Sequence, residues 1–140
     1  MTPPINKNMS ALYPEARKRL EAWLAAANKA FPQFRITIGE TRRTLERQQW
    51  LFASGRTRAG MIVTYTIDSN HRLGCAADFV IVRKLTPFIA VWDWRVWNTV
   101  YEKVPPEKYG LERLSFEMPH LQIPQAEVNK LRAAGKLTQT

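Results

Sequence analysis

The chain contains two histidines, and each sits in a context rich in chemistry: Ser69-Asn-His-Arg-Leu-Gly-Cys-Ala-Ala-Asp78 and Glu117-Met-Pro-His120. Imidazole and carboxylate are the ligand types of a catalytic zinc, which takes three protein ligands and keeps one position open for water. His71, Asp78 and His120 supply that count. Glu117 is the carboxylate left over, close to a ligand without being one, which suits a general base that takes a proton from an activated water. Zinc lowers the pKa of its water to about 7, so a glutamate is basic enough for the task.

A single histidine is more often a hydrogen-bonded structural residue than a ligand. Asp78, however, interrupts an apolar run, and a buried carboxylate without a partner is costly. A metal resolves that cost. The one cysteine, Cys75, can form neither an internal disulfide nor a thiolate cluster, and it reads as a small buried apolar residue. Arg56, between Gly55 and Thr57, has the setting of a solvated loop residue. Ser69 could orient its own loop or touch a substrate.

These side chains need elements to position them. Leu12, Ala16, Leu20, Trp23, Leu24 and Ala27 recur at helical spacing between Ser10 and Ala30, and Pro32 stops the helix. Phe34 to Ile38 alternates as a half-buried strand. Thr44 caps a second helix that Gly55 ends. Met61 to Thr66 is β-branched enough for a strand, a loop then carries His71, and Cys75 to Val82 reads as a buried strand with Asp78 inside it. Gly74 lets the backbone turn so that the carboxylate returns toward the imidazole. Asp93 to Lys103 forms a helix with Trp94, Trp97 and Tyr101 on one side, and these aromatic residues, with Trp92, are expected in the core. A short strand around His120 follows, with Pro119 fixing the backbone just before the imidazole, and Gln125 to Ala134 makes a last helix ended by Gly135. The order predicts an α+β fold with a small, mostly antiparallel sheet flanked by helices.

With 140 residues and 45% hydrophobic content, one domain over 1–140 is expected. No apolar run is long enough to cross a bilayer, and the first twenty residues hold prolines and charges where a secretory signal needs an apolar segment. The expectation is a cytoplasmic protein without a signal peptide. The formal charge of +9, from 21 Lys and Arg against 12 Asp and Glu, attracts any polyanion, nucleic acid and anionic cell wall alike. The arginines are spread from Arg17 to Arg132 and form no single basic arm, which argues against a dedicated nucleic-acid function.

The pattern S-x-H-x-x-G-x-A-x-D, followed by a short acidic-x-Pro-His element, closely resembles the M15 zinc peptidases, which include D-Ala-D-Ala carboxypeptidases and phage L-alanyl-D-glutamate endopeptidases. The resemblance reaches upstream through Thr41-Arg-Arg-Thr-Leu-Glu-Arg-Gln48 and Leu51-Phe-Ala-Ser-Gly-Arg-Thr-Arg-Ala-Gly-Met-Ile-Val-Thr64, and covers roughly residues 34 to 123. It implies a hedgehog/DD-peptidase-like fold and one zinc ion held by His71, Asp78 and His120. Glu117 becomes the catalytic acid/base, and Arg56, with Ser69, a contact to the substrate or its oxyanion. The implied substrate is the peptidoglycan stem peptide, and the implied bond is L-Ala-D-Glu. A D-Ala-D-Ala carboxypeptidase and a non-catalytic wall-binding module are the alternatives. An endolysin role in phage lysis implies a monomer released to the wall by a separate holin. Arg113-Leu-Ser-Phe leads straight to Glu117, whereas phage-type members carry a longer Trp-Gly-Gly segment there and often Asp in place of Glu117, so a differently shaped groove is expected.

Overall fold

The computed structural model describes residues 2–84, 89–114 and 117–138, with the backbone alone for Ile89 and Glu117. The helices are α1 (Pro14–Ala30), α2 (Leu45–Ala53), α3 (Trp94–Lys103) and α4 (Gln125–Ala133). The strands are β1 (Phe34–Glu40), β2 (Ala76–Arg83), β3 (Ile89–Val91), β4 (Glu112–Leu114) and β5 (Glu117–Gln122). They form one antiparallel sheet in the order β1-β2-β5-β4, with β3 also paired to β2. The α+β expectation holds.

The two faces of the sheet follow from the two-residue period of a strand. Ala77, Phe79 and Ile81 on β2 and Leu121 on β5 are fully buried and belong to the same core as Ala16, Leu20, Trp23 and Ala27 of α1. Trp23 anchors that core, with its ring 5.2 Å from Phe79 and 5.9 Å from Tyr101, and its indole N–H donates to the Val104 carbonyl at 2.9 Å. Asp78, His120 and Gln122 point to the opposite face. Asp78 and His120 are direct register partners on neighbouring strands, which places their side chains side by side.

A bulge adds a fourth residue, Glu40, to this face. Ile38 pairs with Phe79, yet Glu40 pairs with Asp78, so β1 spends two steps where β2 spends one. Were Gly39 paired regularly with Asp78, Glu40 would fall opposite Ala77 on the core face; the bulge turns it toward the site. A Cβ on Gly39 would lie 3.3 Å from the Asp78 carbonyl oxygen, so the bulge is also packed tightly.

Three expectations change. Met61 to Thr66 is not a strand: its carbonyls are taken by side chains, Met61 by Ser54 Oγ, Thr64 by Arg56 and Thr66 by Gln48, so there is no ladder for it to join. Trp92 and Trp94 lie outside the core, 67% and 61% exposed, because the buried stripe of α3 is Trp97, Val100 and Tyr101 and the helix only begins at Trp94. The first helix starts at Pro14, after a single 3-10 turn over Met9–Ala11. Other boundaries agree closely. Thr44 caps α2 by accepting the Arg47 N–H, and Asp93 caps α3 by accepting the Arg95 N–H. No helix among the described residues is long and apolar enough to cross a membrane.

Candidate metal centre

His71 lies in the turn that enters β2, and Gly74 closes that turn with φ +72°, a conformation that favours glycine. Hydrogen bonds within the turn hold it: the Ser69 hydroxyl accepts the His71 N–H at 3.2 Å, the Ser69 carbonyl accepts from Arg72, the Asn70 carbonyl from Leu73 and Cys75, and the His71 carbonyl from Gly74. Ser69 therefore orients the loop while also lining the adjacent cleft. The turn returns the chain so that His71 meets Asp78 seven residues later.

Three atoms then converge. His71 Nε2 lies 3.2 Å from His120 Nδ1 and 3.3 Å from Asp78 Oδ1, and His120 Nδ1 lies 3.4 Å from the same oxygen. The triangle is nearly equilateral. A tetrahedral metal with ligands at about 2.0–2.1 Å has ligand–ligand edges of about 3.3–3.4 Å, so the three atoms already stand at the edge lengths of such a site. Both imidazoles are buried, whereas the Asp78 side chain is 25% exposed, which leaves an open side.

The outer ring nitrogens explain the orientation. His71 Nδ1 is 2.7 Å from the Thr41 carbonyl oxygen and His120 Nε2 is 2.7 Å from Gln122 Oε1. Each outer nitrogen faces an acceptor and so carries the proton, leaving a lone pair on each inner nitrogen. Two lone pairs and a carboxylate oxygen facing one another call for positive charge between them. Burial pushes the Asp78 carboxyl up, whereas positive charge on the His71–His120 pair, from protons when no metal is bound, pulls it well below the usual carboxylate range. The donor set and its spacing fit a divalent cation.

Arg43 supports the site and was not among the residues singled out from the sequence. Its guanidinium donates to Asp78 Oδ2 at 3.2 Å, to Glu40 Oε1 at 3.0 Å and to Gln48 Oε1 at 3.1 Å, and Glu40 also accepts from Arg47 at 2.9 Å. This network fixes the second carboxylate oxygen of Asp78 and so turns Oδ1 toward the histidines. The signal for it was present in the Thr41–Gln48 segment, but nothing local to that segment reveals that it faces Asp78. Arg56, by contrast, is exposed. It lies over the Phe52 ring at 3.9 Å and donates to the Phe52 and Thr64 carbonyls, bracing the 61–66 segment. The side chain of Glu117 lies outside the described residues; its backbone begins β5, three residues before His120.

A cleft of about 310 Å³ opens beside His120, walled by Arg43, Thr64, Ser69, Glu112 and Gln122. A wider hollow of about 680 Å³, bounded by Asn98, Tyr101, Glu107 and Arg113, contains none of the converging residues. The smaller cleft is the one that meets the chemistry. Cys75 is buried, with its thiol pushed up to about 11 by burial, so it offers no rival nucleophile.

Over 91% of its length the chain superposes on the crystal structure of the Serratia marcescens L-Ala D-Glu endopeptidase ChiX, covering 92% of that chain with a TM-score of 0.64 at 18% identity. The domain shares the fold of that endopeptidase. The likeness extends to sequence: the chain is 37% identical over 87 residues to the peptidoglycan L-alanyl-D-glutamate endopeptidase CwlK of Bacillus subtilis (strain 168). That match takes in 60% of this chain and 49% of the relative, so it spans about half the relative's length. No family model matches the chain. The His71–Asp78–His120 cluster thus stands on a fold that an L-Ala D-Glu endopeptidase also uses.

Proposed function

We propose that this chain is a zinc-dependent peptidase that hydrolyses an amide bond of the peptidoglycan stem peptide, the L-Ala-D-Glu bond in the first place. The observation that carries the reading is the triangle of His71 Nε2, Asp78 Oδ1 and His120 Nδ1, with sides of 3.2, 3.3 and 3.4 Å and both outer imidazole nitrogens turned to acceptors. The choice of bond leans on the activity printed for the two similar proteins.

Zinc held by these three residues would supply Lewis acidity toward water and the scissile carbonyl. Glu117 takes a proton as the water oxygen bonds to the carbonyl carbon, then delivers it to the amine nitrogen as the C–N bond breaks. Arg43 keeps Asp78 in its ligating rotamer. Ser69 in the cleft wall, and Arg56 at its rim through the Thr64 carbonyl, are assigned to substrate carboxylates, for which a guanidinium offers paired planar donors. The net charge of +9 supports accumulation on an anionic wall.

The test is mass spectrometry of purified peptidoglycan after incubation with zinc-loaded protein. New amino-terminal glutamate is expected. Release of terminal D-Ala would instead make the protein a carboxypeptidase, and sedimentation with the wall without any new termini would make it a binding module. Glu117→Gln should lower turnover by at least about 100-fold while one zinc per chain remains bound; turnover at the parental rate would remove Glu117 from the mechanism.

A further inference from the structure

His120 meets the centre through Nδ1, and what imposes that choice lies outside the ligand set. Gln122 is two residues along β5, so its side chain shares the face of His120, and it is buried at 3% exposure. Its Oε1 is 2.7 Å from His120 Nε2, and its Nε2 donates to Glu112 Oε2 at 3.2 Å. Glu112 and Gln122 are register partners on β4 and β5, which fixes the meeting of their side chains. The same Glu112 oxygen accepts the backbone N–H of Gln125 at 3.1 Å, at the start of α4.

Read outward to inward, the donors and acceptors leave one solution. An ionised carboxylate only accepts, so Gln122 must present its NH2 group to Glu112. The amide oxygen is then forced toward His120, and an oxygen there requires the proton on His120 Nε2. Nδ1 is left with its lone pair directed at Asp78 and His71. A buried amide free to flip would present NH2 to Nε2 as readily as oxygen, and the proton would move to Nδ1, where it blocks ligation.

We propose that Glu112 and Gln122 are positioning residues that set the tautomer of His120 for metal binding, with Glu112 acting as a latch on the amide and α4 holding the latch. The proposal rests on the metal reading of the centre for its purpose, though not for its geometry. It assigns a role to a carboxylate that touches neither ligand nor metal.

The experiment measures zinc affinity by competition with a chromophoric chelator, together with the ring-nitrogen chemical shifts of His120 in 15N-labelled metal-free and zinc-loaded protein. The parent should show Nε2 protonated in both states. Gln122→Leu should weaken zinc binding by about 10- to 100-fold, the range of lost support around a metal ligand, and the metal-free protein should show mixed His120 tautomers. The E112Q/Q122E double variant keeps an acceptor on His120 and an amide-to-carboxylate bond but gives up the Gln125 N–H contact, so it should bind zinc at least about threefold more tightly than Gln122→Leu and hold His120 Nε2 protonated. A parent with Nδ1 protonated, or Gln122→Leu with parental affinity and an unmixed tautomer, overturns the proposal. If the parent binds no zinc but holds Nε2–H, and Gln122→Leu loses it, the metal reading fails while the latch stands.

Discussion

The inner ring nitrogens of His71 and His120 face each other at 3.2 Å. Their outer nitrogens end on the Thr41 carbonyl and the Gln122 amide oxygen, both 2.7 Å away. Neither ring can turn without abandoning a buried hydrogen bond, so the protein itself holds two lone pairs against Asp78. Such preorganisation means that metal and fold stabilise one another.

Zinc should therefore raise thermal stability. At a free zinc concentration 100 times Kd the gain is about 2.7 kcal/mol, which for a domain of this size corresponds to roughly 10 °C in Tm. Differential scanning calorimetry with and without a chelator checks this. His120→Ala should abolish the shift, and a zinc-induced rise of the same size in that variant would exclude the centre as its source.

Glu40 stands between Arg43 and Arg47 with 8% of its side chain exposed, and the two arginines are nearly as buried. Replacing it with Ala takes the carboxylate from buried Arg47 and one of three acceptors from Arg43, which keeps Asp78 and Gln48; removing one member of a buried pair costs about 3–5 kcal/mol. Urea unfolding of Glu40→Ala is expected to show a loss in that range. The same variant should weaken zinc binding, because Arg43 loses the partner that aims it at Asp78.

Gly74 combines φ +72° with a close approach: a Cβ there would lie 3.0 Å from the Tyr13 backbone nitrogen, which donates to the Gly74 carbonyl at 3.0 Å. Gly74→Ala should destabilise the protein by about 1–3 kcal/mol, through strain and through displacement of the segment before α1. Chemical denaturation measures the loss. Stability equal to the parent would mean that the turn can relax at no cost.

The bidentate pair of Arg19 and Glu127 ties α1 to α4 with two contacts of 2.8 Å. Arg19 holds the Glu127 carboxyl below its ordinary value, so the pair contributes stability above about pH 4.5 that is lost as pH falls through the folded pKa. Both side chains reach solvent, which limits the contribution to about 1 kcal/mol or less. Stability profiles of the parent and Glu127→Gln should converge as pH falls below about 4.5 and stay parallel above pH 6. A gap that does not narrow on acidification would trace the difference to packing.

Much of the domain was legible because its signals are local. The stripe from Ala16 to Ala27, the Thr44 cap and the apolar run around Asp78 follow from helical spacing, side-chain capping and a run of small and branched residues. The ligand types could be named because two imidazoles and a carboxylate stand in a pattern with few other uses. The 61–66 segment and the exposed Trp92 and Trp94 were misread for one reason: β-branching and aromaticity report what a side chain prefers, whereas a strand needs an open neighbour and a core needs a facing element.

The sequence by itself determined which atoms could hold a metal and where the chain would bend to present the first two. Only the tertiary structure decided that Asp78 and His120 share a register, that a bulge at Gly39 turns Glu40 to the same face, and which nitrogen each imidazole offers. Most of those choices depend on partners 30 to 49 residues apart in the chain, such as the Thr41 carbonyl for His71 and the other histidine ring, and the one made by nearby Gln122 depends on how β4 pairs with β5. Hydrogen-bond direction and strand register are properties of the pairing, and a single strand read alone carries neither.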